Sequence, residues 1–198
     1  MPCARRRRSL TIRTGKCRVT ARSITARLEL RIDGWTRLVK LFLDVEWADV
    51  LASELVSIAL VSDDGQHQFY GERDPLPAEP LPWVASVVYP LLERGVSAMN
   101  DAALTRCLRV FLDTIPEPQI CYDSGHDRGL CQFVIDGMDE VGPEGPAVDV
   151  RWQRLDDMAS ACERWWKDHP EHRSQRHHAR FDAMALRGAY LIQRGCES

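Results

Sequence analysis

The run Lys40-Leu41-Phe42-Leu43-Asp44-Val45-Glu46-Trp47 is rich in β-favouring residues and ends in two carboxylates spaced two apart. An extended strand sends residues at that spacing to one face. Leu55-Val56-Ser57-Ile58-Ala59-Leu60-Val61 is a second β-rich run, Asp63-Asp64-Gly65 is a hairpin turn signal, and Gln66 to Gly71 alternates as a returning strand. These predict a three-strand meander beginning at residue 39. Four prolines between 75 and 82 exclude a helix before Trp83, and Val84 to Glu93 predicts a short one. Asn100-Asp101 is a helix cap ahead of the core face Leu104, Leu108, Val110, Phe111 and Leu112, which runs to Pro116. Pro118 to Tyr122 predicts a short buried strand and Asp127 to Asp136 a helix. Past the Gly/Pro loop at 137–146, Ala147 to Trp152 alternates as a fifth strand, and two helices over about 154–167 and 178–193 close the chain. The order predicts an α/β fold with a five-stranded mixed sheet flanked by helices.

Charge divides the chain in two. Residues 1–40 hold 12 Lys/Arg against Glu29 and Asp33, a balance of +10, leaving 14 basic and 27 acidic residues, or −13, beyond. The basic stretch has no sustained apolar period and is expected to be disordered in isolation. A nucleic-acid-binding arm and a transit peptide both fit it, whereas a twin-arginine export signal lacks its apolar region. Val39, just ahead of Lys-Leu-Phe-Leu-Asp, is a candidate true start, which would make residues 1–38 an extension and 39–198 the functional domain. The longest charge-free apolar run, Leu81 to Leu92, is about half of what a membrane span needs. Seven cysteines with no CxxC pair predict reduced thiols and a cytoplasmic protein.

Asp44 and Glu46 are the first candidate chemistry. Neighbouring like charges on one strand face repel each other, and a divalent cation such as Mg²⁺ or Mn²⁺ removes the conflict while leaving positions for phosphate oxygens. An edge strand ending in two solvated acids is the plainer alternative, and the choice turns on whether other acids arrive from elsewhere. Near the end stands His177-His178-Ala179-Arg180-Phe181-Asp182-Ala183, opening an apolar helix, and in the middle Tyr122-Asp123-Ser124-Gly125-His126-Asp127. A second grouping, Cys162, His169, His172 and His177, has no standard zinc spacing and is interrupted by Pro170.

The terminal stretch resembles the His-x4-Asp-Ala signature of the DEDDh 3′-to-5′ exonucleases, a superfamily of ribonuclease H-like fold, with His178 in the usual Asn position. The middle stretch is similar to that superfamily's His-Asn-x-x-Phe-Asp motif, with Asp123 in the Asn position. Phe-Leu-Asp-x-Glu-(aromatic), Leu-x-Ser-Ile-x-Leu-Val, Asp-Gly and Phe-Tyr-Gly-Glu most resemble the small bacterial and phage 3′-exoribonucleases, a group that includes a polyadenylate-specific enzyme of mycobacteria. Trp47 stands where that group often has Phe.

The resemblance implies a ribonuclease H-like fold and a site of Asp44, Glu46, Asp127, His177 and Asp182. The four acids would hold two divalent cations, Mg²⁺ or Mn²⁺, and neutral His177 would act as general base. Trp47, Tyr122 and Asp123, next to the acids, are candidate substrate contacts, with a core role open for the two aromatics. The activity implied is hydrolysis of single-stranded RNA from its 3′ end, with polyadenylate preference by analogy. A DNA exonuclease of proofreading or repair type, and a nucleic-acid-binding module without turnover, are the alternatives. The expected partner is an RNA 3′ end, with a homodimer as a candidate assembly and no membrane.

Overall fold

The computed structural model describes residues 38–139, 142 and 145–195; apart from Leu38, the basic extension lies outside them. A mixed six-stranded sheet, order β4-β3-β2-β1-β5-β6, is flanked by helices on both faces. Its strands are β1 Val39–Trp47, β2 Leu55–Ser62, β3 Gln68–Arg73, β4 Ala98–Met99, β5 Pro118–Tyr122 and β6 Arg151–Arg154. The first three form the expected antiparallel meander, and β5 and β6 add parallel to β1 and to each other. The sixth strand is the one the sequence hid. β4 is two residues long, pairs parallel with Glu72 and Arg73, and is too short to leave an alternating pattern.

The helices are α1 Pro82–Val87, α2 Asp101–Asp113, α3 Gly125–Asp136, α4 Ala159–Asp168 and α5 Ala179–Gln193. α1 starts at Pro82, a proline tolerated at a first helical turn because its missing N–H would have no partner there. Pro90 then breaks the expected longer helix into a separate 3-10 turn over Tyr89–Leu91. Asn100 caps α2, accepting the Ala103 N–H at 2.9 Å. Val148 and Val150 pack on the core from outside the ladder, so β6 begins later than their alternation implied.

Period-two alternation in β1 sorts its side chains between the layers. Leu41, Leu43 and Val45 join the core under α2 and α3, while Phe42 points the other way, to Leu186 and Tyr190 of α5. α5 approaches closely because the facing residues are small, Ala59 meeting Ala179 and Ala183. Gly188 serves the same end, since a Cβ there would overlap the Trp165 indole of α4. Cys121, Cys131 and Cys162 are free thiols and Cys107 is disulfide-bonded, so reduced thiols are found at three of the four described cysteines. No helix of the described residues is long and apolar enough to cross a membrane.

Candidate metal centre

Asp44 and Glu46 share Phe42's parity, so both leave β1 toward α5. β5 runs parallel with Cys121 beside Phe42, which puts Asp123, just past the strand end, on the same side. Asp127 lies in the first turn of α3, whose N-cap Ser124 accepts the His126 N–H at 3.2 Å. Asp182 lies in the first turn of α5. The carboxyl end of β1 and the N-terminal turns of two helices thus meet in one cavity of about 600 Å³, lined by Asp44, Glu46, Asp123, Asp127, His177 and Asp182 among others. All five residues expected at the site are there.

Burial and mutual repulsion raise the carboxyl pKa values. Burial pushes the Asp44 carboxyl well above the usual carboxylate range, and repulsion from Asp182, Asp127, Glu46 and Asp123 adds to it. Glu46 is pushed up to about 9 by burial, then by Asp182 and Asp127. Asp127 rises to about 8 by burial, then through Asp123 and Asp182. Asp182 rises to about 7 by burial, although the His177 N–H and the Arg176 charge pull it down. Carboxyls in this condition take up either protons or cations.

Asp44 Oδ2 is shielded from solvent and has no hydrogen-bond partner, an arrangement that costs free energy unless something else satisfies the atom. Glu46, His177 and Asp182 each bring a ligand atom within 4.8 Å of the others, the group of this kind among the described residues. The carboxylate oxygens of Asp44, Glu46, Asp127 and Asp182 suit a hard divalent cation such as Mg²⁺ or Mn²⁺, with the His177 imidazole beside them rather than among the ligands. The donor set therefore fits the metal that the sequence implied. Cys162 lines the same cavity, but His169 and His172 stack on Trp165 at 4.2 and 5.9 Å, so the second sequence grouping does not assemble.

The two adjacent histidines part company. His177 sits at φ +72°, a left-handed conformation in which His is among the less disfavoured residues, and its N–H donates to Asp182 Oδ2 at 2.8 Å. Its ring faces the cavity, edge-on to Trp83 at 4.9 Å between centroids. Burial, and then the Arg176 charge, hold its pKa below the usual value, so the imidazole is neutral at neutral pH. His178 is 3% exposed, stacks on Tyr70 at 4.6 Å, and caps α5 by accepting the Arg180 N–H on Nδ1. The Tyr70 hydroxyl is fixed in turn by the buried carboxylate of Glu72 at 2.7 Å, which also accepts the Glu93 and Arg94 backbone N–H groups. His178 therefore belongs to the packing behind the cavity.

The candidate substrate contacts divide. Trp47 lines the cavity while also packing on the core, its ring tilted against His126 at 5.7 Å. Asp123 is exposed at the cavity wall. Tyr122 is instead a core residue, 9% exposed and edge-on to Trp152 at 6.0 Å, outside the cavity. The reason is strand parity, because neighbouring residues at the end of β5 point to opposite faces. Trp83, 49% exposed at the cavity wall, was missed. Its one signal is an aromatic directly behind a helix-starting Leu-Pro. No family model matches the chain, and no curated protein matches it.

Proposed function

We propose that this chain is a divalent-metal-dependent 3′-to-5′ exoribonuclease of the DEDDh type, its sheet arranged as in the ribonuclease H-like fold. The observation that carries the reading is the convergence of Asp44, Glu46, Asp127, His177 and Asp182, from three separate stretches of chain, on one cavity wall. Three antiparallel strands followed by parallel strands, with the acids on the first and central of them, are consistent with that fold.

Asp44, Glu46, Asp127 and Asp182 would hold the cations, Asp127 rather than Asp123 because it is the buried one. Divalent ions at this position supply positive charge against the phosphodiester and its leaving oxygen. The chain's own residues do the rest. Neutral His177 takes a proton from the attacking water as its oxygen forms a bond to phosphorus. The P–O3′ bond breaks, the 3′ oxygen of the penultimate nucleoside leaves and takes a proton from solvent, His177 returns its own proton to solvent, and a nucleoside 5′-monophosphate is released. The His177 backbone N–H to Asp182 bond ties the loop at His177 to the first turn of α5. Trp47 and Trp83 give the cavity two aromatic walls for an unpaired base, where stacking contributes about 1–3 kcal/mol per base.

The test is incubation with 5′-labelled single-stranded RNA beside the matching DNA, with and without Mg²⁺ or Mn²⁺. The reading expects a metal-dependent ladder shortening from the 3′ end, faster on RNA. Faster decay of DNA would move the assignment to a DNA exonuclease, and binding without decay would leave a nucleic-acid-binding module.

A further inference from the structure

The cavity presents six carboxyl groups and one guanidinium, Arg176 being the single Lys or Arg among its lining residues. Any anionic strand entering it meets repulsion that the cation-binding acids alone do not account for, because Asp123 and Glu163 add to it from the wall. Arg176 directly precedes His177 and ends the 3-10 segment Pro170–Gln175. Its fork is turned onto Glu163 of α4, Nη1 to Oε2 at 3.3 Å and Nη2 to Oε1 closer still. Both side chains are about half exposed, at 45% and 49%.

We propose that Arg176 is a substrate-phosphate-binding residue of this site and that Glu163 holds it in reserve, a phosphate of the bound strand replacing the carboxylate. The inference rests on the reading of the site as a phosphodiesterase. A planar guanidinium donates in parallel to a carboxylate or to a phosphate with the same geometry, so the exchange needs no new shape. The pair lies in water, where ion pairs contribute little, so its opening costs little. The position is right as well: Arg176 lines the cavity directly beside His177, whose N–H donates to Asp182 Oδ2 at 2.8 Å. A phosphate held there lies at the wall beside the base and one of the acids. The competing role is a staple, with Glu163 and Arg176 serving only to tie the 170–176 segment to α4.

The two roles give opposite signs in one experiment. The full chain and its Arg176→Ala, Arg176→Lys and Glu163→Gln variants are compared by KM and kcat on 5′-labelled single-stranded RNA. Binding of the same RNA in chelator, followed by fluorescence anisotropy, is measured from low to high salt. Arg176→Ala should raise KM about ten- to a hundredfold, the effect of losing a charge-assisted fork, with kcat within about threefold. It should also flatten the slope of log affinity against log salt by about 0.7, one phosphate contact on a single strand. Arg176→Lys should fall between, keeping the charge without the fork. Glu163→Gln should lower KM severalfold by freeing the guanidinium. A staple predicts instead that Arg176→Ala and Glu163→Gln shift KM in the same direction with the salt slope unchanged, which overturns the inference. Wild-type protein that neither binds nor cleaves the RNA overturns the phosphodiesterase reading itself. Cleavage with KM indifferent to Arg176 overturns only the present step.

Discussion

Replacing His177 by asparagine should stop cleavage while leaving the fold and cation binding in place, and replacing His178 by alanine should lower stability while leaving cleavage in place. Asparagine tolerates the positive φ of position 177 and keeps the backbone N–H that bonds Asp182, so the change removes little besides the imidazole. Loss of a general base costs about 10²–10⁴ in turnover. The acid limb of the wild-type pH–rate profile should lie below the ordinary histidine value of 6.5, because burial and then Arg176 favour the neutral ring. That limb should vanish in the variant. At position 178, alanine removes the stack on Tyr70, about 0.5–1.5 kcal/mol, and the cap on the Arg180 N–H, about 1 kcal/mol. A loss of roughly 2 kcal/mol lowers Tm by about 4–8 °C in a domain of this size. The assay is kcat on labelled RNA well below the variants' Tm, together with melting curves and Mn²⁺ titration. Turnover of His177→Asn within tenfold of wild type would refute the assignment of the base. Loss of Mn²⁺ affinity in that variant would make His177 a ligand instead.

Other consequences follow from the same geometry. Asp44→Ala should abolish cation-dependent stabilisation and cleavage yet leave the metal-free protein at least as stable. The side chain it removes carries a shielded unpartnered oxygen, worth about 1–3 kcal/mol of penalty, and a clear drop in Tm measured in chelator would contradict this. The metal-free protein should lose stability as pH rises from 6 to 9. Carboxyls that titrate near 4 when unfolded and at about 7, 8 and 9 at Asp182, Asp127 and Glu46 contribute fully below pH 4 and lose that contribution as pH passes the raised values. Urea melts at pH 6, 7.5 and 9 measure this; a flat profile would mean that the site is wetter than described. Mn²⁺, competing with those protons, should raise Tm more at pH 8 than at pH 5.5. Trp83→Ala should raise KM about fivefold or more with kcat nearly constant and Tm unchanged, since α1 is anchored by buried Val84 and Trp83 is half exposed; an unchanged KM would remove it from the binding wall.

What the sequence disclosed follows from how local each signal is. The i, i+2 spacing of Asp44 and Glu46 fixed their common face as soon as β1 was recognised, and strand alternation carried that into three dimensions. The five-residue offset between His177 and Asp182 came from the resemblance, and it is closed by one turn and the His177 N–H to the Asp182 carboxylate. For Tyr122 a contact and a core role were both open, and parity decides for the core: Asp123 and Tyr122 are neighbours at the end of one strand and cannot both face the cavity. Trp83 and Arg176 depend on where α1 and the Pro170–Gln175 segment dock, which no periodicity encodes. β4 was invisible for a related reason, since two residues become a strand only through the ladder with Glu72 and Arg73.

In the proposed function these four acids and His177 hydrolyse the last phosphodiester of an RNA strand. The most direct test is the identity of what leaves a single-stranded RNA labelled in its 3′-terminal nucleotide, with wild-type protein and Asp44→Ala side by side in Mg²⁺ or Mn²⁺. Labelled nucleoside 5′-monophosphate should come from wild type, none from Asp44→Ala, and none from either in chelator. A nucleoside 3′-monophosphate or cyclic phosphate as product, or release that survives chelation or the loss of Asp44, would contradict that function.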